Sequence, residues 1–374
     1  MQLEDLRPSQ TIRSGVQRPT LRRRAVQGSA IRRAAHSATE ALVSLGLWHL
    51  GAIRRLHRRP VARILAYHNV SAQPDLVFGL AVTAFAQQMR FLERHHAVVS
   101  LDDVSAMLAG TKPWVERAVA ITFDDGYEDN ALVAWPILRE LGLPATVFLT
   151  TDYIGATGGI WLNRLHFALR RTPLDRLQAP EVLGAEAAEL PLRSPDERSS
   201  AAHLLVDALY RLPPGERKTL TERLIERLRV DLAASSPMPS ALRFLSWDQV
   251  REMAAGGLIT FGSHGCSHSI MSRLGDGGLR EELAASKVAI ERETGRSVRH
   301  FAYPNGAEGD WDERAVRLLP ELGYATAVTM RRGLVEAGGN PFELPRVGYN
   351  GGHGPTFAKR LEDVDARRTL RWRP

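Results

Sequence analysis

The chain has 374 residues, 44% of them hydrophobic, which is enough for one large domain or two smaller ones. It contains no apolar run of about 18 residues, so no membrane-spanning helix is expected, and its single cysteine, Cys266, excludes an internal disulfide. The first 60 residues hold twelve arginines and three acidic residues, a net charge of +9, while the whole chain carries +7. The high basicity therefore belongs to this segment and not to the rest of the chain, which sums to −2.

Residues 1–60 form a basic segment that begins without periodic hydrophobicity and is predicted to be partly disordered. Apolar residues recur at helical spacing over about 38–59, which predicts an amphipathic helix ending in arginines. We expect this helix to pack on the folded domain; the alternative is a helix that lies on a membrane surface. No cleavable signal peptide is expected, because Glu40 interrupts the apolar part. Since the segment has a single aromatic residue and no known reader motif, no nucleic-acid partner is expected.

From residue 61 onward, hydrophobic strands alternate with amphipathic helices, a pattern that predicts a parallel α/β fold. The predicted strands cover 62–70, 97–101, 118–123, 144–150, 258–264, 298–306, 324–329 and 344–350. The predicted helices cover 82–96, 101–108, 131–142, 246–257, 278–295 and 312–323, with Ser246 as a capping residue. The alternation stops at about 161–243, where amphipathic helices occur without clear strands, and we interpret this stretch as a helical insertion.

Four polar clusters lie at the carboxyl ends of predicted strands. They are YHN (67–69), FDDG (123–126), SHGCSH (263–268) and YPNG (303–306). Because the carboxyl ends of parallel strands open onto one mouth, we expect these clusters to meet there. No glycine-rich dinucleotide-binding or phosphate-binding motif occurs, so nucleotide binding has no support.

Two of these clusters carry residues that suit a metal-dependent hydrolase. His264 and His268 form a His-x3-His pair, a spacing at which both imidazoles can face one divalent cation, zinc above all. A carboxylate from Asp124 or Asp125 would complete the set and leave positions open for water and substrate. The second aspartate, close but not bound, could then take a proton from water. The ordinary alternatives are a simple DDG turn and packed or surface histidines.

Together, TFDDG (122–126), HGCSH (264–268) and, in variant form, RHFAYPNG (299–306) resemble the motifs of the polysaccharide deacetylase family, also called the NodB-homology or carbohydrate esterase 4 family. The resemblance covers about 61–155 and 243–350. It implies an irregular, partly closed (β/α) barrel of about seven parallel strands. The domain would span 61–352 around the insertion, with a basic tail at 353–374.

The resemblance also implies an activity and residue roles. The reaction would be hydrolysis of the acetamide of an N-acetylated amino sugar, of N-acetylglucosamine type, to free amine and acetate. Asp124 would be the catalytic base. The divalent metal, most often zinc, would be held by Asp125, His264 and His268, and the glycan would contact Tyr303, Pro304 and Asn305. Such a substrate fits a protein that is cytoplasmic or peripherally associated with the bacterial inner membrane or envelope.

One departure from the family pattern concerns the residue that orients the base. Ala302 stands where the family has an arginine. We expect Arg346 to supply the missing charge from the last strand, because the other candidate, Arg299, lies at a strand start far from the mouth.

A second departure concerns the general acid, since the usual Leu-x-His motif is missing near the end of the domain. YHNV (67–70) resembles the variants that act on poly-N-acetylglucosamine, which makes His68 the expected acid, and His353 is the alternative. The two departures leave open a catalytically silent glycan-binding protein. An O-acetyl esterase on a glycan is a further alternative, because the motifs do not separate the two kinds of acetyl group.

Overall fold

The computed structural model describes residues 60–71, 79–156, 159–184, 189–232, 242–348 and 356–361. The helix predicted at 38–59, the alternative acid His353 and most of the basic tail lie outside these residues. None of the described helices has the length and apolar composition that crossing a bilayer requires.

The strands are short and mostly buried. They are β1 (Val61–Tyr67), β2 (Asn69–Ser71), β3 (Gly79–Ala81), β4 (Ala97–Val98), β5 (Ala118–Phe123), β6 (Ala145–Leu149), β7 (Arg176–Gln178), β8 (Glu189–Pro191), β9 (Ile259–Ser263), β10 (His300–Ala302), β11 (Thr326–Arg332), β12 (Val335–Glu336) and β13 (Leu344–Gly348).

Seven of these strands close a parallel barrel in the order β1, β13, β11, β10, β9, β6 and β5, with β5 pairing back onto β1. The predicted barrel of about seven parallel strands is therefore confirmed. Its closure is uneven, because β1 and β5 pair along Ala62–Tyr67 whereas β9 and β10 share the single pair Ser263 and Phe301. Outside the barrel, β4 extends the sheet beside β5, and β12 pairs antiparallel with β1.

Helices connect the strands along the chain. They are α1 (Val82–His95), α2 (Leu101–Leu108), α3 (Trp135–Glu140), α4 (Trp161–Arg171), α5 (Pro180–Leu183), α6 (Pro195–Leu209), α7 (Pro214–Arg227), α8 (Trp247–Ala255), α9 (Asp276–Thr294) and α10 (Glu313–Glu321). A π-helical turn at Asn130–Ala134 leads into α3. Ser100 and Ser246 start α2 and α8 through reciprocal capping boxes, as predicted for Ser246.

Alternation along β5 separates the barrel interior from the helical layer. Val119, Ile121 and Phe123 belong to the cluster that packs against α1, while Ala118 and Ala120 pack with residues of other barrel strands. Arg346 of β13 is also completely buried, and its guanidinium lies 5.8 Å from the ring centre of Phe148 in that second cluster.

The stretch at 161–243 builds a hydrophobic cluster of its own from α4 to α7. It contacts the barrel side through Tyr127, Phe244 and Ile270. The expectation that this stretch has no strands is wrong, because β7 and β8 pair antiparallel within it. Strands of three residues are too short to show a period of two in sequence. The domain boundaries themselves stay a prediction.

Candidate active site

The side chains predicted to form the site come together at the carboxyl ends of the barrel strands. Asp124 and Asp125 directly follow β5, His264 directly follows β9, and His68 occupies the break between β1 and β2. Arg346 lies inside β13 and reaches the same region from the barrel interior. Convergence of strand ends is thus what assembles the cluster.

Asp125, His264 and His268 form one compact, buried group. Asp125 Oδ1 lies 3.5 Å from His264 Nε2 and 3.4 Å from His268 Nε2, and the three candidate ligand atoms all lie within 4.8 Å of one another. His264 Nδ1 donates to the carbonyl of Ala302 at 2.7 Å, which leaves its Nε2 facing the other two residues.

These three residues fit a divalent cation. Asp125 Oδ1 is buried and accepts no hydrogen bond from any residue that the structure describes, an unfavourable state for a carboxylate unless a positive charge meets it. Burial lowers the pKa of His264 to about 4, so its imidazole is neutral, as a metal ligand must be. Burial works to raise the pKa of Asp125, but the close approach of His268, whose Nε2 lies 3.4 Å from Oδ1, holds that pKa below its usual range. Two imidazoles and one carboxylate are a ligand set of catalytic zinc sites.

Asp124 is paired with an arginine in the barrel interior. Arg346 donates Nη1–H to Asp124 Oδ1 and Nη2–H to Asp124 Oδ2, both at 2.7 Å, and it is completely buried. Thr122 Oγ1 and the carbonyl of Thr329 accept further bonds from the same guanidinium at 3.2 and 3.0 Å. Burial works to raise the pKa of Asp124, yet the charge of Arg346 outweighs it and the pKa lies below its ordinary value. The Asp124 carboxylate is therefore ionised and fixed in orientation.

His68 faces the same carboxylate from another strand end. Its Nε2 lies 3.9 Å from Asp124 Oδ2, and its backbone carbonyl accepts a hydrogen bond from Asn130 Nδ2 at 2.9 Å. Behind His68 lies a polar cluster of Asn69, Asp129 and Asn130 that was not predicted from the sequence. Asp129 and Asn130 belong to the YEDN stretch directly after the DDG motif. In that cluster the Asp129 carboxylate accepts hydrogen bonds from both Asn69 and Asn130, which ties β2 to the turn after β5.

The three residues predicted to contact the glycan differ in accessibility. Tyr303 is completely buried, donates its hydroxyl to the carbonyl of Phe342 at 3.0 Å and stacks on Trp311. Pro304 is also buried, whereas Asn305 is exposed. Asn305 has a φ of +61°. Their contact with a glycan stays a prediction.

Arg299 and Cys266 do not contact the ligand cluster through the bonds that the structure shows. Arg299 contacts Asp102 at 3.0 Å at the start of β10, so it does not reach Asp124. Cys266 directs its sulfur to the carbonyl of Glu282 at 3.8 Å, and burial raises the pKa of its thiol to about 11.

With this geometry in place, relatives of the chain can be compared. The sequence model of the polysaccharide deacetylase family matches residues 111–327, more than half of the chain. The chain belongs to the polysaccharide deacetylase family. Members of this family are described as hydrolases that remove acetyl groups from polysaccharides, and the chain is accordingly placed among the polysaccharide deacetylases.

Individual relatives agree with this membership. The deacetylase is 36% identical over 93 residues to YxkH of Bacillus subtilis (strain 168), a protein named as a polysaccharide deacetylase; the match spans 25% of this chain and 33% of that protein.

Solved structures show the same fold at low identity. The deacetylase PplD of Streptococcus pyogenes, solved with acetate, aligns with a TM-score of 0.54 and 16% identity over 82% of this chain and 99% of its own. IcaB of Ammonifex degensii aligns with a TM-score of 0.53 and 18% identity over 82% and 97%. A de-N-acetylase of Aggregatibacter actinomycetemcomitans aligns with a TM-score of 0.51 and 16% identity over 80% and 100%.

Proposed function

We propose that this deacetylase is a metal-dependent N-deacetylase of poly- or oligosaccharides, which hydrolyses the acetamide of an N-acetylglucosamine-type sugar to a free amine and acetate. The observation that carries the proposal is the position of an ionised, arginine-held Asp124 beside the buried group of Asp125, His264 and His268. The Aggregatibacter relative, described as a de-N-acetylase, is consistent with an amide substrate.

A divalent cation, zinc by preference, would be held by Asp125, His264 and His268, where it would polarise the acetyl carbonyl and make a nearby water more acidic. Asp124 is proposed as the base that takes the proton of the attacking water. Its two bonds to Arg346 support this role, because they fix the carboxylate plane and keep it ionised before the reaction. Arg346 is the residue proposed to orient the base in place of Ala302.

His68 is proposed as the acid that protonates the leaving amine while the carbon–nitrogen bond breaks. Its Nε2, 3.9 Å from Asp124 Oδ2, lies near enough for both side chains to act on one acetamido group. Comparison of His68→Ala with His353→Ala tests the assignment. We expect His68→Ala to lose most of its turnover and His353→Ala to retain it; the reverse result would make His353 the acid.

The substrate class is tested by measuring acetate release from N-acetylglucosamine oligomers and from acetylated xylan. We expect release from the oligomers, its loss after chelation and its return on addition of Zn²⁺. Release from xylan alone would identify an O-acetyl esterase instead. Stoichiometric metal binding with no acetate released from either glycan would identify a catalytically silent binding protein.

The basic segment at 1–60 is proposed to make a peripheral contact with the membrane, by attraction of its arginines to anionic lipids. Sedimentation with anionic liposomes, compared between the full chain and a chain lacking residues 1–60, tests this contact. Equal sedimentation of the two proteins would refute it.

A further inference from the structure

The loop that carries the two histidines is held from outside by Glu282 of α9. Glu282 Oε2 accepts the backbone N–H of Cys266 at 2.6 Å and that of Ser267 at 3.1 Å. Its other oxygen, Oε1, accepts the hydroxyl of Ser267. Glu282 therefore binds the middle of the loop, between His264 and His268, through three hydrogen bonds.

The loop backbone has a conformation that needs such an external contact. Gly265 has a φ of +78° and His268 a φ of +58°, and the left-handed region is unfavourable for a histidine. A Cβ at position 265 would lie 2.8 Å from Glu282 Oε2, so glycine also permits the close approach of the carboxylate. Charge-assisted bonds to two successive N–H groups fix the peptide planes that separate the two imidazoles.

The same network continues into the insertion. Ser267 Oγ lies 2.6 Å from Ser269 Oγ, and Arg217 Nη2 donates to Ser269 Oγ at 3.2 Å. Arg217 belongs to α7, is buried, and its guanidinium lies over the rings of Trp161 and Tyr210 at 5.2 and 5.9 Å. The core of the insertion is thus linked to the residue that directly follows His268.

We propose that Glu282 is a positioning residue for the metal-binding loop, and that Arg217 fixes the far end of the same hydrogen-bond network. The insertion then contributes to metal affinity through the backbone that presents His264 and His268. This inference rests on the proposed function for the identity of the ligands. It does not depend on which glycan is the substrate.

The test compares two neighbouring glutamates of α9. Glu282 contacts the loop, while Glu281 is exposed, so Glu282→Ala and Glu281→Ala remove the same charge from adjacent positions. Zn²⁺ affinity is measured by competition with a chromogenic chelator, and the visible spectrum of bound Co²⁺ reports ligand geometry. We expect roughly 10- to 100-fold weaker Zn²⁺ binding and shifted Co²⁺ bands for Glu282→Ala, with no change for Glu281→Ala.

The outcomes separate this inference from the proposed function. A wild-type protein that binds no Zn²⁺ would overturn the metal site itself. Wild-type affinity and spectrum in a folded Glu282→Ala variant would overturn the role of Glu282. If the alanine variant does not fold, as judged by circular dichroism, Glu282→Gln takes its place, because its amide oxygen keeps part of the hydrogen bonding. We then expect Zn²⁺ binding to weaken by about tenfold, the lower end of the range given for alanine. Unchanged Zn²⁺ affinity in this variant would overturn the role of Glu282.

The insertion end is tested with two arginines of α7. Arg217→Gln removes the contact with Ser269, and Arg223→Gln changes an exposed arginine of the same helix. We expect Arg217→Gln to weaken Zn²⁺ binding by less than about tenfold, since it is one step further from the ligands. Equal affinity of the two variants would refute the contribution of the insertion and leave that of Glu282 standing.

Discussion

The two ends of the barrel use the same three residue types with different results. The set at the mouth is Asp124, Arg346 and His68, and the set at the opposite end is Asp102, Arg299 and His300. At the mouth, Arg346 binds both carboxylate oxygens of Asp124. At the opposite end, Arg299 and His300 both contact a single oxygen of Asp102, Oδ1, at 3.0 and 3.3 Å.

Exposure to solvent separates the two sets further. The side chains of Asp124 and Arg346 are 3% and 0% exposed, while those of Asp102 and Arg299 are 38% and 54% exposed. Water screens the outer pair, so its interaction is weak, whereas the inner pair has no such screening. Only the inner set lies beside a group of side chains that could hold a metal ion, namely Asp125, His264 and His268; among the described residues the outer set has no such neighbour. Residue type alone therefore does not define the site. The site is defined by side chains that meet at the mouth and are buried there.

The strongest test of this difference is loss of the carboxylate charge at each end. Asp124→Asn should lower the rate of acetate release by roughly 10²- to 10⁴-fold, because the amide cannot accept the proton from water. Asp102→Asn should leave the rate within a factor of about two. Bound metal, measured by elemental analysis, should be unchanged in both variants. Near wild-type turnover by Asp124→Asn would remove Asp124 from the role of base.

Removal of a histidine should affect Zn²⁺ binding at the mouth of the barrel but not at the opposite end. His264→Ala should weaken Zn²⁺ binding by more than the roughly 100-fold that loss of a supporting partner can cause, because a ligand itself is removed. His300→Ala should bind Zn²⁺ as the wild type does, since its ring contacts Thr326 and Asp102 at the other end of the barrel. Titration with a competing chelator measures both. Equal loss of affinity in the two variants would contradict the assignment.

The two arginines should differ in their contribution to stability. Arg346→Met leaves a buried carboxylate unpaired and should lower the free energy of unfolding by about 3–5 kcal/mol, while Arg299→Met should lower it by about 0–1 kcal/mol. Because the pKa of Asp124 is lowered in the folded protein, its stabilising contribution is present above the unfolded pKa of about 3.9 and is lost on acidification. Denaturant unfolding at several pH values should therefore show the larger effect shrinking below about pH 4. An effect of Arg346→Met that is independent of pH would argue against this pairing.

The smallest effect concerns Asp129, behind the mouth. Burial raises the pKa of Asp129 to about 7, although donors at Val70, Asn130 and Asn69 favour its charged form. The folded protein then binds this proton more tightly than the unfolded chain between about pH 4 and 7, so ionisation of Asp129 should make stability fall as pH rises through that window. In Asp129→Asn, this decrease of stability with rising pH should disappear. An unchanged slope, measured by thermal unfolding, would mean that Asp129 is ionised throughout.

Much of the barrel could be predicted because its strands differ in composition from the surrounding helices. The buried run of β5 was predicted with its exact limits, Ala118–Phe123, since small and β-branched residues precede a polar turn. Other limits shifted for local reasons. The predicted strand 62–70 divides at His68, and the helix predicted at 131–142 begins with a π-helical turn. One-residue breaks and extra residues within a turn leave hardly any trace in hydrophobic periodicity.

The positions of the site residues followed from strand ends, but their contacts did not. The sequence pointed to Arg346 because an arginine was missing at Ala302, yet its two bonds to Asp124 depend on β13 and β5 both pairing with β1. Glu282 carried no sequence signal of its own, since a glutamate on an amphipathic helix is usually solvated. Such contacts join residues far apart in the chain, so only the packed barrel brings them together.

The place of β13 in the barrel has a consequence for synthesis of the chain. This strand is the last of the seven in sequence, yet it lies between β1 and β11 and brings Arg346 to Asp124. On the ribosome, Asp124 emerges more than 200 residues before its partner, a delay of roughly 10–50 s at about 5–20 residues per second. Throughout that interval the barrel stays open along one side and the Asp124 carboxylate lacks its guanidinium. The nascent deacetylase consequently acquires its complete site as a late event of translation, when the seventh strand inserts.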